Sequence, residues 1–162
     1  MRPEGIADTC FCIDLWNGHL LEILIESRLR IIIPDIVANE LHIPDAKPFI
    51  ESGVEIKSAG PEEVRLVEEL SQSYRKTSIA DLFALAMAKS GNIFLFTNDK
   101  HLRMAAIKEN VNVKGILWFL DSLENQMSGD HLASALEKIL AGGARLPPDE
   151  CRARLTKWRS GT

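Results

Sequence analysis

Four acids in this 162-residue chain stand beside short apolar runs in a way that could bring them to one place. Asp8 follows Gly5-Ile6-Ala7, and Asp99 follows Ile93-Phe94-Leu95-Phe96 after Thr97 and Asn98. Asp81 precedes a run from Leu82 to Ala88 that has no polar side chain, and Glu40 closes the segment Ile36-Val37-Ala38-Asn39. Carboxylates gathered at one end of a sheet repel each other, and the partner that suits them is a hard divalent cation such as Mg²⁺ or Mn²⁺, which takes oxygen ligands. One or two such ions generate a hydroxide nucleophile and stabilise a leaving oxygen, which is the chemistry of phosphodiester hydrolysis. Each acid also has an ordinary structural reading. Asp8 and Asp99 fit helix N-caps, Ser78 with Asp81 fits a capping box, and Glu40 fits a buried salt bridge or a side chain snorkelling outward. Glu40 lies four residues after Ile36 and three after Val37, so it is expected on the inward face of its helix, where an unpaired charge is costly.

The elements that must carry these acids alternate. Residues 5–7 read as a first strand and 11–27 as a helix, with Asp14 expected to face solvent or pair locally. Arg30 to Ile33 reads as a second strand stopped by Pro34, and 35–42 as a helix. After a turn-rich stretch, 43–52, the alternation Val54-Glu55-Ile56-Lys57 suits a half-exposed strand. Pro61 opens a helix to about Tyr74 with Val64, Val67 and Leu70 inward. The unbroken apolar run Ile93 to Phe96 suits a central parallel strand covered on both faces. A helix over 100–109 and a short strand at 111–113 follow, then helices alone: 117–126, 129–140 and 148–159. The expected fold is α/β, a three-layer α/β/α sandwich with a parallel sheet of four to five strands. Residues 1–115 form the core, and 116–162 a helical C-terminal extension of the same domain. In such sheets ligands bind beyond the carboxyl ends of the strands, where Asp8 and Asp99 fall. Lys100 and Arg103, one helical turn beyond Asp99, are candidates for holding a substrate phosphate.

Composition narrows the classes. A net charge of −4 and a pI near 5.6 give no global basic field for nucleic acid, although bound cations would offset an acidic cluster. Cys10, Cys12 and Cys151 form no C-x-x-C pair, which argues against a disulfide framework or a zinc knot. With no stretch long enough to span a membrane and no apolar leader in MRPEGIADTC, the protein is expected to be cytoplasmic. His42 and His101 read as exposed helix residues. The segment CRARLTKWR carries Arg152, Arg154, Lys157 and Arg159 without an acid, and suits RNA phosphates, the helix dipole, an acidic partner or plain solvent. Ile116-Leu117-Trp118-Phe119-Leu120 is richer in large apolar side chains than one helix face needs. It reads either as a homodimer interface or as core packing.

With these residues assembled, the sequence resembles the PIN-domain ribonucleases. The resemblance rests on Ala7-Asp8-Thr9-Cys10, the segment Ile33-Pro34-Asp35-Ile36-Val37-Ala38-Asn39-Glu40-Leu41, Ser78-Ile79-Ala80-Asp81, and Phe96-Thr97-Asn98-Asp99-Lys100-His101-Leu102-Arg103, and spans about residues 5–115. It implies a PIN-like fold and a metal-dependent endoribonuclease. Asp8, Asp81 and Asp99 would hold Mg²⁺ or Mn²⁺, Glu40 would be a ligand or orient the attacking water, and Thr97 or Asn98 would be a polar helper at the substrate. Cys10 departs from the serine or asparagine often found after Asp-Thr. Many small members are toxins of VapC type held inactive by an antitoxin, so a homodimer and a small antitoxin partner are expected, with no membrane. The alternatives are an inactive PIN-like module that binds RNA or protein, and a receiver-like phosphoacceptor. The receiver class needs an adjacent acidic pair after the first strand, and here Thr9 follows Asp8, while only Lys114 loosely matches its lysine.

Overall fold

Five short strands line up in parallel: β1 (Glu4–Ala7), β2 (Arg30–Pro34), β3 (Glu55–Lys57), β4 (Phe94–Phe96) and β5 (Val113–Lys114), in the order β3-β2-β1-β4-β5. The structure, a computed structural model, describes residues 3–42 and 44–161. Positions 1, 2, 43 and 162 lie outside the described residues, and with them the first residues of the stretch read for a leader and the first of the turn-rich stretch 43–52.

β1 sits in the middle, with Ile6 paired to Ile32 on one side and to Leu95 on the other. These three side chains share one face of the sheet, where they pack with Val67, Leu70, Leu82, Leu85 and Leu102. Ala7, Ile31, Ile33 and Phe96 turn to the opposite face and pack with Phe11, Leu15, Phe119 and Leu136. Helices on both faces are why these strands read as unbroken apolar runs rather than alternating ones. On the first face lie α5 (Pro61–Ser73), α6 (Ile79–Gly91) and α7 (Lys100–Lys108). The second is covered by α1 (Thr9–Asn17), α2 (Leu21–Glu26), α8 (Ile116–Ser122), α9 (Gly129–Ala141) and α10 (Pro148–Arg159). Two short helices, α3 (Asp35–Glu40) and α4 (Lys47–Glu51), complete the chain. The three-layer parallel sandwich is as expected from sequence. Its strand order is not the 2-1-3-4-5 of receiver-like folds, which removes that alternative.

Several local expectations give way. The helix foreseen over 11–27 is broken by Gly18 and by His19, which takes a left-handed φ of 55°, so that Leu20 and Leu21 both reach the core. Phe49 draws part of the turn-rich stretch into α4, because a fully buried ring there needs a local element to carry it. Val64, expected inward, is 41% exposed at the start of α5. The run Ile116 to Leu120 is core: Ile116, Phe119 and Leu120 have no exposed surface, and Trp118 stacks on Phe96 at 6.1 Å between ring centroids. Among the two readings of that run, core packing holds, and the ground it offered for a homodimer is gone. The tail cations are taken up in the same way. Arg154 grips Asp121 on α8 at 2.7 and 2.8 Å, Lys157 reaches Glu124 at 2.8 Å, Arg159 meets Glu137 on α9, and Arg152 pairs with Asp149. The pairs of Arg154, Lys157 and Arg159 fasten α10 to its neighbours, while that of Arg152 lies within α10 itself.

α6 matters most for the site, since it carries Asp81 in its first turn. The Ser78 hydroxyl accepts the Asp81 N–H at 3.1 Å and caps the helix. Ser78→Ala should therefore lower stability by about 1 kcal/mol. Urea unfolding measures this, and an unchanged midpoint would show that the cap carries no weight.

Candidate functional site

The carboxyl ends of β1 and β4 are neighbours, and each is followed by an acid that caps the next helix. Asp8 accepts the Phe11 N–H at 2.8 Å at the start of α1, and Asp99 accepts the Leu102 N–H at 2.8 Å at the start of α7. Thr97 joins the two. Its hydroxyl donates to Asp8 Oδ2 and accepts the Asp99 N–H at 2.9 Å. Thr97 has no exposed surface, so it orients the acids and is out of reach of a substrate, contrary to the role foreseen for it.

The four expected acids form a gradient from floor to rim. Asp8 is fully buried, Asp81 and Asp99 are half-buried, and Glu40 is exposed. Glu40 was expected to face inward with Val37. Instead Val37 enters the core while Glu40, the last residue of the short α3, stays at the rim and accepts the Thr9 hydroxyl at 3.2 Å. The acids feel each other. Burial, and after it the charges of Asp81 and Asp99, push the Asp8 carboxyl up to about 7 against two lowering hydrogen bonds. Burial, then the charges of Asp99 and Glu40, push Asp81 up to about 6. Cys10 reaches solvent at the same rim, but its thiol is pushed up to about 12 by partial burial and by the surrounding aspartates, so it is a thiol and not a thiolate at neutral pH.

Asp14, expected from the sequence to face solvent or pair locally, is a buried acid with a distant partner. It is 6% exposed, its carboxyl is pushed up to about 6 by burial, and it accepts the Asn98 side-chain N–H at 2.9 Å. The signal was present, because Asp14 follows Phe11 by three and so shares the inward stripe of α1. Asn98 is held from both ends, since its Oδ1 accepts the Ile116 N–H at 3.1 Å. Lys100 and Arg103 are exposed beyond Asp99, as are His101 and His42.

A family model described as a PIN domain, DUF3368, matches residues 5–160. The chain belongs to the PIN-domain family. No curated protein matches it in sequence. Among solved structures, the VapBC2 complex of Rickettsia felis bound to a DNA fragment from its promoter contains a similar chain. It superposes with a TM-score of 0.51 at 20% identity, covering 69% of this chain and 98% of that one, a likeness of fold. The family model runs through the helices after residue 115, over the whole of α8, α9 and α10.

PIN-domain membership raises the matter of a metal. The donor set of this PIN domain suits a hard divalent ion: every group is a carboxylate oxygen, and Asp8 and Asp81 are held up in pKa partly by neighbouring negative charge that a cation would neutralise. Among the described residues, no three His, Cys, Asp or Glu side chains stand close enough to hold an ion as they are. The fit is therefore one of chemistry and charge, with no basic partner among the described residues competing for the carboxylates.

Proposed function

We propose that the chain is a metal-dependent endoribonuclease that hydrolyses RNA phosphodiester bonds at the acids of this site. The observation that carries the reading is the gathering of Asp8 and Asp99, joined through the Thr97 hydroxyl, with Asp81 at the carboxyl edge of a PIN-domain sheet, where the charges of Asp81 and Asp99 bear on the buried Asp8 and no cation among the described residues pairs with them. Asp8, Asp81 and Asp99 would hold Mg²⁺ or Mn²⁺, which when bound supplies a water of lowered pKa and charge for the leaving oxygen. Glu40, exposed at the rim beside Asp81, is placed to accept a proton from that water or to orient it. Thr97 keeps Asp8 and Asp99 in register through its shared hydroxyl. Lys100 and Arg103 stand ready for flanking phosphates.

The test offers an end-labelled single-stranded RNA and the same sequence as DNA to the purified chain in Mg²⁺ or Mn²⁺. Internal cuts in the RNA are expected. An intact RNA under both ions would favour the inactive binding module instead.

We further propose that the protein is the toxin of a toxin–antitoxin pair. The similar fold in the VapBC2 complex supports this reading. A partner arginine offered to the acids would neutralise them as a metal does, and block the site without new chemistry. Ile13 on α1, exposed in the cleft that Asp99 lines, supplies apolar surface near the site for such a protein. No helix among the described residues is long and apolar enough to cross a membrane.

A further inference from the structure

A cleft of about 580 Å³ opens beside Asp99. One wall is Cys10, Asp14, Asn98, Asp99, Lys100 and His101, and the other is the connection between α9 and α10, residues 142–145. A second cleft, of about 290 Å³, shares Asn98 with it and is lined by Arg103 and Lys114, by Leu146 and Pro147 of the same connection, and by Asp121, Glu150 and Arg154, of which Arg154 and Asp121 pair with each other. We propose that this connection is the outer wall of the path of the RNA strand, and that Arg145 holds a backbone phosphate there. The inference rests on the nuclease reading and names the substrate subsite within it.

Three observations carry it. First, Arg145 is exposed with no hydrogen bond or ion pair among the described residues, whereas all four basic residues of α10 are matched to acids. It is thus a cation of the C-terminal segment left over at the cleft. Second, the connection is held in place. Gly142 packs against Asn17 at the end of α1 so closely that a side chain there would clash, and the Gly143 and Ala144 N–H groups donate to the Leu140 and Ile139 carbonyls at 3.1 and 3.3 Å, so Arg145 follows a backbone tied to α9. Third, an acidic centre on a chain of net charge −4 repels a polyanion, and a phosphodiester needs local cations to approach it. Lys100 and Arg145 supply them from opposite walls beside Asp99, and Arg103 and Lys114 continue the line into the second cleft.

Fluorescence anisotropy of a labelled single-stranded RNA with the full chain in Ca²⁺, across a range of KCl, tests this together with cleavage kinetics in Mn²⁺. Arg145→Ala should raise Kd and KM about fivefold with kcat held, and should reduce the slope of log Kd against log salt by about 0.7, the value of one single-strand phosphate contact. Arg145→Lys should restore the slope, because a point charge suffices for it. Arg152→Ala makes the same charge change on the outer side of α10 and should leave Kd and slope alone. An unchanged Kd and slope in Arg145→Ala, or an equal loss in Arg152→Ala, overturns the wall as an RNA site while cleavage by the wild type keeps the nuclease reading. RNA binding that depends on Arg145 in a chain that never cuts keeps the wall and overturns the nuclease. A wild type that does not bind RNA overturns both.

Discussion

Asp99→Asn will fold as the wild type does and lose RNA cleavage by on the order of 10³-fold in kcat/KM. The two halves of that result have separate causes. Folding is kept because the Asp99 side chain caps α7 through one oxygen, 2.8 Å from the Leu102 N–H, and asparagine caps as well as aspartate. The change in unfolding free energy should stay within about 0.5 kcal/mol. Activity is lost because the carboxylate's charge is lost, and with it a ligand for the divalent ion. The Asp81 carboxyl should also drop towards the ordinary range, since Asp99 is the largest charge holding it up. Wild-type turnover in purified Asp99→Asn would remove Asp99 from the site.

The second large effect is on stability against pH. Asp8 binds its proton up to about 7 in the fold and releases it near 3.8 when unfolded, and Asp81 and Asp14 shift in the same direction, to about 6. Through that window the folded chain binds more protons than the unfolded one, so the unfolding free energy falls as pH rises and levels off above the folded value of Asp8. Asp8 alone accounts for on the order of 4 kcal/mol at most, while the half-exposed Asp81 adds less because solvent screens it. Mg²⁺ should reverse part of the loss above neutrality, since it binds the ionised fold and not the unfolded chain. Asp8→Asn should flatten the profile. Denaturation across the pH range measures it, and stability that climbs from acid to neutral would contradict the raised carboxyls.

How far the sequence discloses such a molecule is best seen residue by residue. Asp8, Asp81 and Asp99 were legible because each adjoins an apolar run or a capping signal, and strand ends in a parallel sheet all point one way. Glu40 was misjudged because helical spacing fixes an inward face only within a helix long enough to bury one, and α3 ends at Glu40 itself. Thr97 is small and polar and reads as a substrate helper, yet its burial depends on β1 and β4 being neighbours, a tertiary fact. Arg154, Lys157 and Arg159 of α10 read as part of a free basic segment, since their partners Asp121, Glu124 and Glu137 lie 22 to 33 residues away in sequence. Arg145 went unnoticed for the opposite reason: nothing in GGARLPP discloses that the connection folds back to Asp99.

One measurement bears most directly on the acidic site as a metal-dependent nuclease centre. The purified wild-type chain is incubated with a labelled single-stranded RNA in Mn²⁺, then with EDTA, then with Mn²⁺ restored in excess. Internal cleavage that stops with EDTA and resumes with Mn²⁺, and that Asp99→Asn lacks at every stage, is the expected result. Cleavage that continues unabated in EDTA, or that Asp99→Asn performs equally well, would contradict it.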